Sequence, residues 1–238
     1  MGAGTINTVV GSGSLVSFPT LLAAGYSPVV ANVSNTIGMT IGGISGTLGY
    51  RAELAGQGER MRRLGVASLA GGVTGAVLLL VLPEGVFGAV VPVLILCACL
   101  LMALQPRLRA WLAARRPDEP RHGGRALLAG VYATGIYGGY FGAAQGVVLV
   151  ALLAIFLADS LQRLNGLKNA LVVLVNGVAA LMFIVLSDPA WGAALLLAVG
   201  AALGGQVGAR YGRRLHPTAM RALIIVVGVT VAIKLIVD

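Results

Sequence analysis

Apolar residues run along this chain in long blocks, at 2–24, 28–50, 64–83, 86–104, 125–157, 165–187, 190–209 and 219–237. One helical crossing of a bilayer takes about 20 such residues. Six of the blocks fit one crossing each. The block 125–157 does not: its 33 residues are too many for one helix and too few for two full spans. It is also interrupted by Gly135, Gly138, Gly139, Gly142 and Gly146. The pattern predicts a re-entrant hairpin or broken helix, which a membrane protein tolerates only where the backbone is shielded by protein or lines a wet cavity.

The one long polar stretch, 105–125, holds Pro106, Pro117, Pro120 and six arginines. It is expected to contain a short interfacial helix around Leu108–Ala114. It divides the chain into a first membrane repeat, 1–104, a cytoplasmic linker, 105–124, and a second membrane repeat, 125–238. A shift of 133 residues carries Gly71-Gly72-Val73-Thr74-Gly75-Ala76 onto Gly204-Gly205-Gln206-Val207-Gly208-Ala209. The same ungapped shift pairs Gly13 with Gly146, Ser27 with Ser160, Asn32 with Asn165 and Leu82 with Leu215. A constant offset over most of each half points to duplication. By that symmetry 2–24 is a second broken segment, with a first arm several residues shorter than its counterpart.

Charge then orients the halves. Of the 17 basic residues, 16 fall after the second block, in the linker, after the broken block and before the last helix. The other loops carry Glu84, Asp188 and Asp238, with Lys234 near them. Lys and Arg collect on the cytoplasmic side. All four basic stretches share one side only if 125–157 returns to the side it left. The turn at Gly25–Pro28 then lies outside and its partner at Ala158–Leu161 inside. The expected fold is an all-α integral membrane protein built as an inverted-topology repeat. Each repeat has about four segments, the first broken or re-entrant, and a site near midplane between the halves.

Composition agrees with this pattern. The chain is 58% hydrophobic and 11% charged, with mean hydropathy +0.92 and 35 glycines. A soluble domain carries about 25% charged residues. The net charge of +9 therefore reflects loop arginines, and nucleic acid is not an expected partner. Cys97 and Cys99 sit in an apolar run with no His or acid beside them, so no metal site is expected. No basic region precedes the first apolar block, so no cleavable signal peptide is expected.

Three constellations could carry chemistry. Gly11-Ser12-Gly13-Ser14 lies within the first broken segment, and Gln145-Gly146 occupies the matching place in the second. A half-helix starting at either point aims backbone N–H groups and its positive dipole end at an anion; the plainer alternative is a packing kink. Asn32, Ser34 and Asn35 open the next helix, and Asn165, Lys168 and Asn169 open its counterpart. Positions three or four apart share a helix face. Buried amides can bond ligand oxygens, and Lys168 supplies a charge suited to an anion. Its alternative role is an anchor snorkelling to the cytoplasm. The glycine stripes Gly38-Gly42-Gly46 and Gly200-Gly204-Gly208-Gly212 are best explained by close helix packing. Gly11–Ser14 also has the outline of a serine-protease turn, but His122 and His216 fall in predicted cytoplasmic loops, away from any such serine.

Taken together, Gly11–Pro19, Gly25-Tyr26-Ser27-Pro28, Ala31–Asn35, Tyr140–Gly146, Arg163–Asn169 and Gly204–Arg210 resemble the two repeats of the TauE/SafE sulfite exporter family across nearly the whole chain. The resemblance implies a multi-pass permease of the bacterial cytoplasmic (inner) membrane that moves sulfur-containing anions, often outward. It maps the family's glycine-rich turns to Gly11–Ser14 and Gly142–Gly146, and its polar helix starts to Asn32, Ser34, Asn35, Asn165, Lys168 and Asn169. Ser12 and Ser14 stand where members usually carry more glycine. The expected substrate-binding set is thus Gly11, Ser12, Gly13, Ser14, Asn32, Ser34, Asn35, Gln145, Gly146, Asn165, Lys168 and Asn169. No catalytic residue and no cofactor are expected. The expected partners are a small anionic substrate and membrane lipid, with a homodimer left open. A permease or channel-like pore for another small solute is the alternative.

Overall fold

The computed structural model describes residues 1–10, 12–114, 124–211 and 217–237, and every regular element among them is a helix. The first half contains α1 (Gly2–Val10), α2 (Ser14–Ala23), α3 (Pro28–Gly49), α4 (Gly58–Val81) and α5 (Glu84–Ala114). The second contains α6 (Arg125–Tyr140), α7 (Gln145–Phe156), α8 (Leu161–Leu186), α9 (Trp191–Tyr211) and α10 (Pro217–Val237). Four stretches are long and apolar enough to cross a membrane: Gly58–Val81, Glu84–Leu108, Leu161–Leu186 and Trp191–Gly208. Large apolar side chains on their outer faces, among them Leu181, Val185, Leu196 and Val199, are exposed. Only lipid or another apolar partner covers such a surface favourably.

The blocks at 2–24 and 125–157 are both broken, the first into α1 and α2 and the second into α6 and α7. α3, α4 and α5 begin at Pro28, Gly58 and Glu84, and α8, α9 and α10 each begin 133 residues later. Local chemistry explains part of this match. Ser27 Oγ accepts from Val30 N–H and Ser160 Oγ from Arg163 N–H, so both helices start on a serine cap. Packing between the halves also comes in matched pairs. α3 lies on α9 as α8 lies on α4; α1 lies on α9 as α6 lies on α4; α2 lies on α10 as α7 lies on α5. α1 has 9 residues against 16 in α6.

Two sequence expectations meet these elements differently. The separate helix expected at Leu108–Ala114 does not form. α5 runs unbroken through Pro106 to Ala114, because a proline removes one backbone bond and bends a helix without having to end it. The first repeat's helical part therefore extends past residue 104. Most of the expected linker, 115–123, lies outside the described residues, as do Gly212 and the arginines at 213 and 214.

The glycine stripes are the contact surfaces of the fold. A Cβ on Gly75 would stand 2.1 Å from Ile136 O, and one on Gly71 would stand 2.3 Å from Tyr132 O, both on α6 backbone. Gly204 presses in the same way on Met1 O, and Gly42 on Ala201. In lipid there is no hydrophobic drive between helices, so close backbone approach and dispersion must supply the attraction. α3 passes through the middle, with every residue from Ala31 to Thr40 buried. Phe18 of α2 meets Phe141, just past α6, edge-on at 5.3 Å, which ties the two broken segments together.

A polar cluster joins the halves at the arginine-rich end. Arg60 Nη1 of α4 lies 2.6 Å from Asp159 Oδ2, and Arg163 Nε of α8 lies 3.0 Å from Asp159 Oδ1. Desolvation pushes the Asp159 pKa up. Hydrogen bonds from Arg60, the Ser160 N–H and Arg163, with the Arg163 charge, outweigh it and hold the carboxyl below its ordinary value.

Two predictions follow from this packing. Gly75→Val should lower the melting temperature markedly, because overpacking a tight contact costs about 1–3 kcal/mol. Gly177→Ala, whose new Cβ meets nothing within 4 Å, should be neutral or slightly stabilising; thermal unfolding in detergent compares the two. Ionised Asp159 has a folded pKa below its unfolded one, so its stabilisation is present above about pH 4 and drains as pH falls through the folded value. The melting-temperature gap between native protein and Asp159→Asn should be widest near neutral pH and close as the pH drops below about 4.

Candidate functional site

The break between α6 and α7 is built by three local choices. Gly142 adopts φ 78°, and its N–H and that of Phe141 both return to Tyr137 O, closing the end of α6. Tyr137 Oη then donates to Ala143 O, stapling the linker to the helix it leaves. Ala144 takes a left-handed φ of 60° and launches α7 with Gln145 and Gly146 in its first turn. A non-glycine residue there costs about 1–2 kcal/mol, which the surrounding contacts must hold in place.

The matching break before α2 is held by a side chain. Asn7 Oδ1 of α1 accepts from Gly13 N–H at 3.3 Å, and the Ser12 hydroxyl points at Met102 Sδ, 3.8 Å away. A Cβ on Gly13 would collide with Ala3 O at 2.1 Å, so glycine is needed for this approach. Gly11 lies outside the described residues.

Between the breaks sits a small cavity of about 20 Å³, lined by Asn7, Gly43, Gly46, Gly146, Lys168, Asn169 and Val172. α1, α3, α7 and α8 all contribute, so both halves form its wall. Lys168 is only 2% exposed. A buried ammonium is costly in a low-dielectric interior unless negative or polar groups accompany it. Asn169 is 9% exposed, and its Nδ2 has no hydrogen-bond partner. The glycines remove side chains where the cavity needs room. The combination of one cation, an amide donor and the first turn of a half-helix suits an anion.

The other sequence-predicted residues are placed around this centre. Asn35 Oδ1 accepts from the Ser17 hydroxyl, fixing α2 to α3. Asn32 Nδ2 donates to Tyr140 O at 2.9 Å, reaching across to the break of the other half, while its Oδ1 is unpartnered. Gln145 is fully buried against Gly138, and neither of its side-chain polar atoms is bonded. Ser34 faces elsewhere, its Oγ accepting from Ala190 N–H ahead of α9. Asn165 and Ser14 are half-buried and do not line the cavity. The structure thus brings Gly146, Lys168 and Asn169 together, with Asn32, Asn35 and Gly13 bonded around the breaks and Gln145 buried at one of them.

Asn7, Gly43, Gly46 and Val172 were not among the expected site residues. Asn7 did carry a signal, since the 133-residue offset places it on Tyr140 at the other break. Gly46 belongs to the stripe assigned to packing, and Gly42 in that stripe does pack. Val172 and Gly43 carry no local mark of a site.

The whole chain has relatives. Residues 1–235 match the family model described as "Sulfite exporter TauE/SafE". The chain is 28% identical over 237 residues to "Probable membrane transporter protein YfcA" of Escherichia coli K12, covering 99% of this chain and 86% of that protein. It is 26% identical over 240 residues to "Probable membrane transporter protein ORF9" of Sinorhizobium sp, with 99% and 89% covered. A Haemophilus influenzae protein called "Probable membrane transporter protein" is 22% identical over 240 residues, with 99% and 91% covered. No solved structure matches. With a helical fold that carries four membrane-length spans and a family model fitting nearly every residue, the chain belongs to the sulfite exporter TauE/SafE family of membrane transporters.

Proposed function

We propose that this chain is an alternating-access carrier that exports a small sulfur-containing oxyanion, sulfite or an organosulfonate, across the bacterial inner membrane. One observation carries the proposal: a buried Lys168 faces a cavity shared by both halves, beside an unpartnered Asn169 amide and the first turn of α7. The family description supplies the sulfur chemistry. The two repeats, 1–104 and 125–238 on either side of the linker, would run in opposite directions through the bilayer. The shared 133-residue offset of helix starts, the paired packing of the halves and the one-sided arginines support that arrangement.

The cavity is narrow and walled by both halves. Under alternating access the halves would part around the breaks to load it. Once there, the anion would exchange its hydration for the Lys168 ammonium, the Asn169 amide and backbone N–H groups. Asn32 and Gln145 would join as the break rearranges. Export needs no carboxylate relay, because an anion leaving a negative interior gains about 2.3 kcal/mol per charge at 100 mV.

Radiolabelled sulfite or taurine-like sulfonates in proteoliposomes test this function. Saturable flux with counterflow is expected; unsaturable flux would instead make the protein a pore. Lys168→Met should weaken the apparent affinity at least about thirtyfold while the protein stays monodisperse, since losing one partner of a buried charge pair costs about 2 kcal/mol or more. Unchanged affinity would remove Lys168 from the site. Asn7→Asp, nearly the same size, sets a carboxylate into the cavity wall. It should abolish anion-induced thermal stabilisation, which a shift assay on purified protein reads directly.

A further inference from the structure

We propose that Arg60, Asp159 and Arg163 form a latch that holds the arginine-rich face shut, and that this face opens only when the latch breaks. The inference rests on the alternating-access reading and adds which face is locked and by what.

The three side chains come from both halves. Asp159 sits in the turn between α7 and α8, Arg163 in the first turn of α8, and Arg60 at the start of α4. Asp159 takes Arg60 on one oxygen at 2.6 Å and Arg163 on the other at 3.0 Å. Arg163 Nη1 continues to Ala55 O at 3.1 Å, in the connection between α3 and α4. Gln57, fully buried, donates from Nε2 to both Glu53 O and Arg163 O. The end of the second half's hairpin is thereby fastened to the first half by one ion pair, Arg60–Asp159, and two cross-half hydrogen bonds, while the Arg163–Asp159 pair braces the hairpin end itself. Carboxylate–guanidinium bonds are about twice as strong as neutral ones.

The opposite face has no such fastening at the corresponding places. The 133-residue offset pairs Asp159 with Tyr26, Arg163 with Val30 and Arg60 with Ala193. None of these partners can form an ion pair. Tyr26 is 37% exposed and borders a pocket of about 200 Å³ with Pro28 and Lys234. Among the described residues, the cross-half tie near the equivalent of Gln57 is a neutral bond, Ala190 N–H to Ser34 Oγ at 2.9 Å. An otherwise matched pair of ends is therefore unequal in one respect. Among the described residues, opening the arginine-rich end breaks an ion pair between the halves, and the equivalent positions at the other end hold none.

A cysteine reporter tests this without any substrate. In a background carrying Cys97→Ser and Cys99→Ala, Val172→Cys places a thiol in the cavity wall. A membrane-impermeant methanethiosulfonate is applied to inside-out and to right-side-out vesicles. Asp159→Asn should raise the labelling rate from the arginine-rich side about tenfold, with no rise from the other side, and Asp159→Glu should stay near the native rate. Arg60→Gln removes only the ion pair between the halves and serves if Asp159→Asn does not fold; it should raise the rate on the same side. Unchanged labelling in the variant that folds, or a rise of equal size from both sides, overturns the latch. Anion flux without the labelling response would sink the latch alone, and the labelling response without anion flux would sink the substrate assignment alone.

Discussion

Inside a bilayer there is no water to bond an exposed peptide group. A helix that breaks inside an apolar block therefore has to bury its loose end in protein, and this chain breaks such blocks twice. Much else in the structure answers that requirement. Phe141 packs on Phe18 at the junction of the breaks. Asn7 caps the Gly13 N–H, Asn32 occupies the Tyr140 carbonyl, and Tyr137 occupies the Ala143 carbonyl. Asn32 of α3 is buried because it serves one of these ends, in a chain whose outer faces are apolar.

Shielding two breaks demands that long helices approach closely around them, and glycine permits the approach. Gly71 and Gly75 let α4 touch the α6 backbone, and Gly204 does the same for α9 against α1. The same residue type has a second use beside the cavity. Gly43, Gly46 and Gly146 widen the gap between α3, α7 and α8 into the cavity that Lys168 faces. Packing glycines and cavity glycines alternate along one helix, so spacing alone cannot assign either role.

Much of the architecture was legible because it depends on length and repetition. The 33-residue block could not be a single span, and the 133-residue offset carried the expectation of a break to 2–24, where α1 and α2 are separate. Ser27 and Ser160, paired by that offset, turn out to cap α3 and α8. The end of α5 was misplaced because Pro106 looks like a stop, whereas a helix can bend past it. Lys168 and Asn169 were identifiable as polar residues in an apolar context, but Gly43 and Val172 join the cavity only through the crossing of α3 and α8. Asp159 passed unnoticed for a related reason. Arg60 is 99 residues away in sequence, and nothing local marks the pair.

Lys168 and Asn35 occupy equivalent positions in the two halves. Asn35 is spent on Ser17 inside the first half, while Lys168 lines the cavity. Equivalent positions within one polypeptide can carry unlike side chains, so one can brace a helix while the other brings charge to a guest.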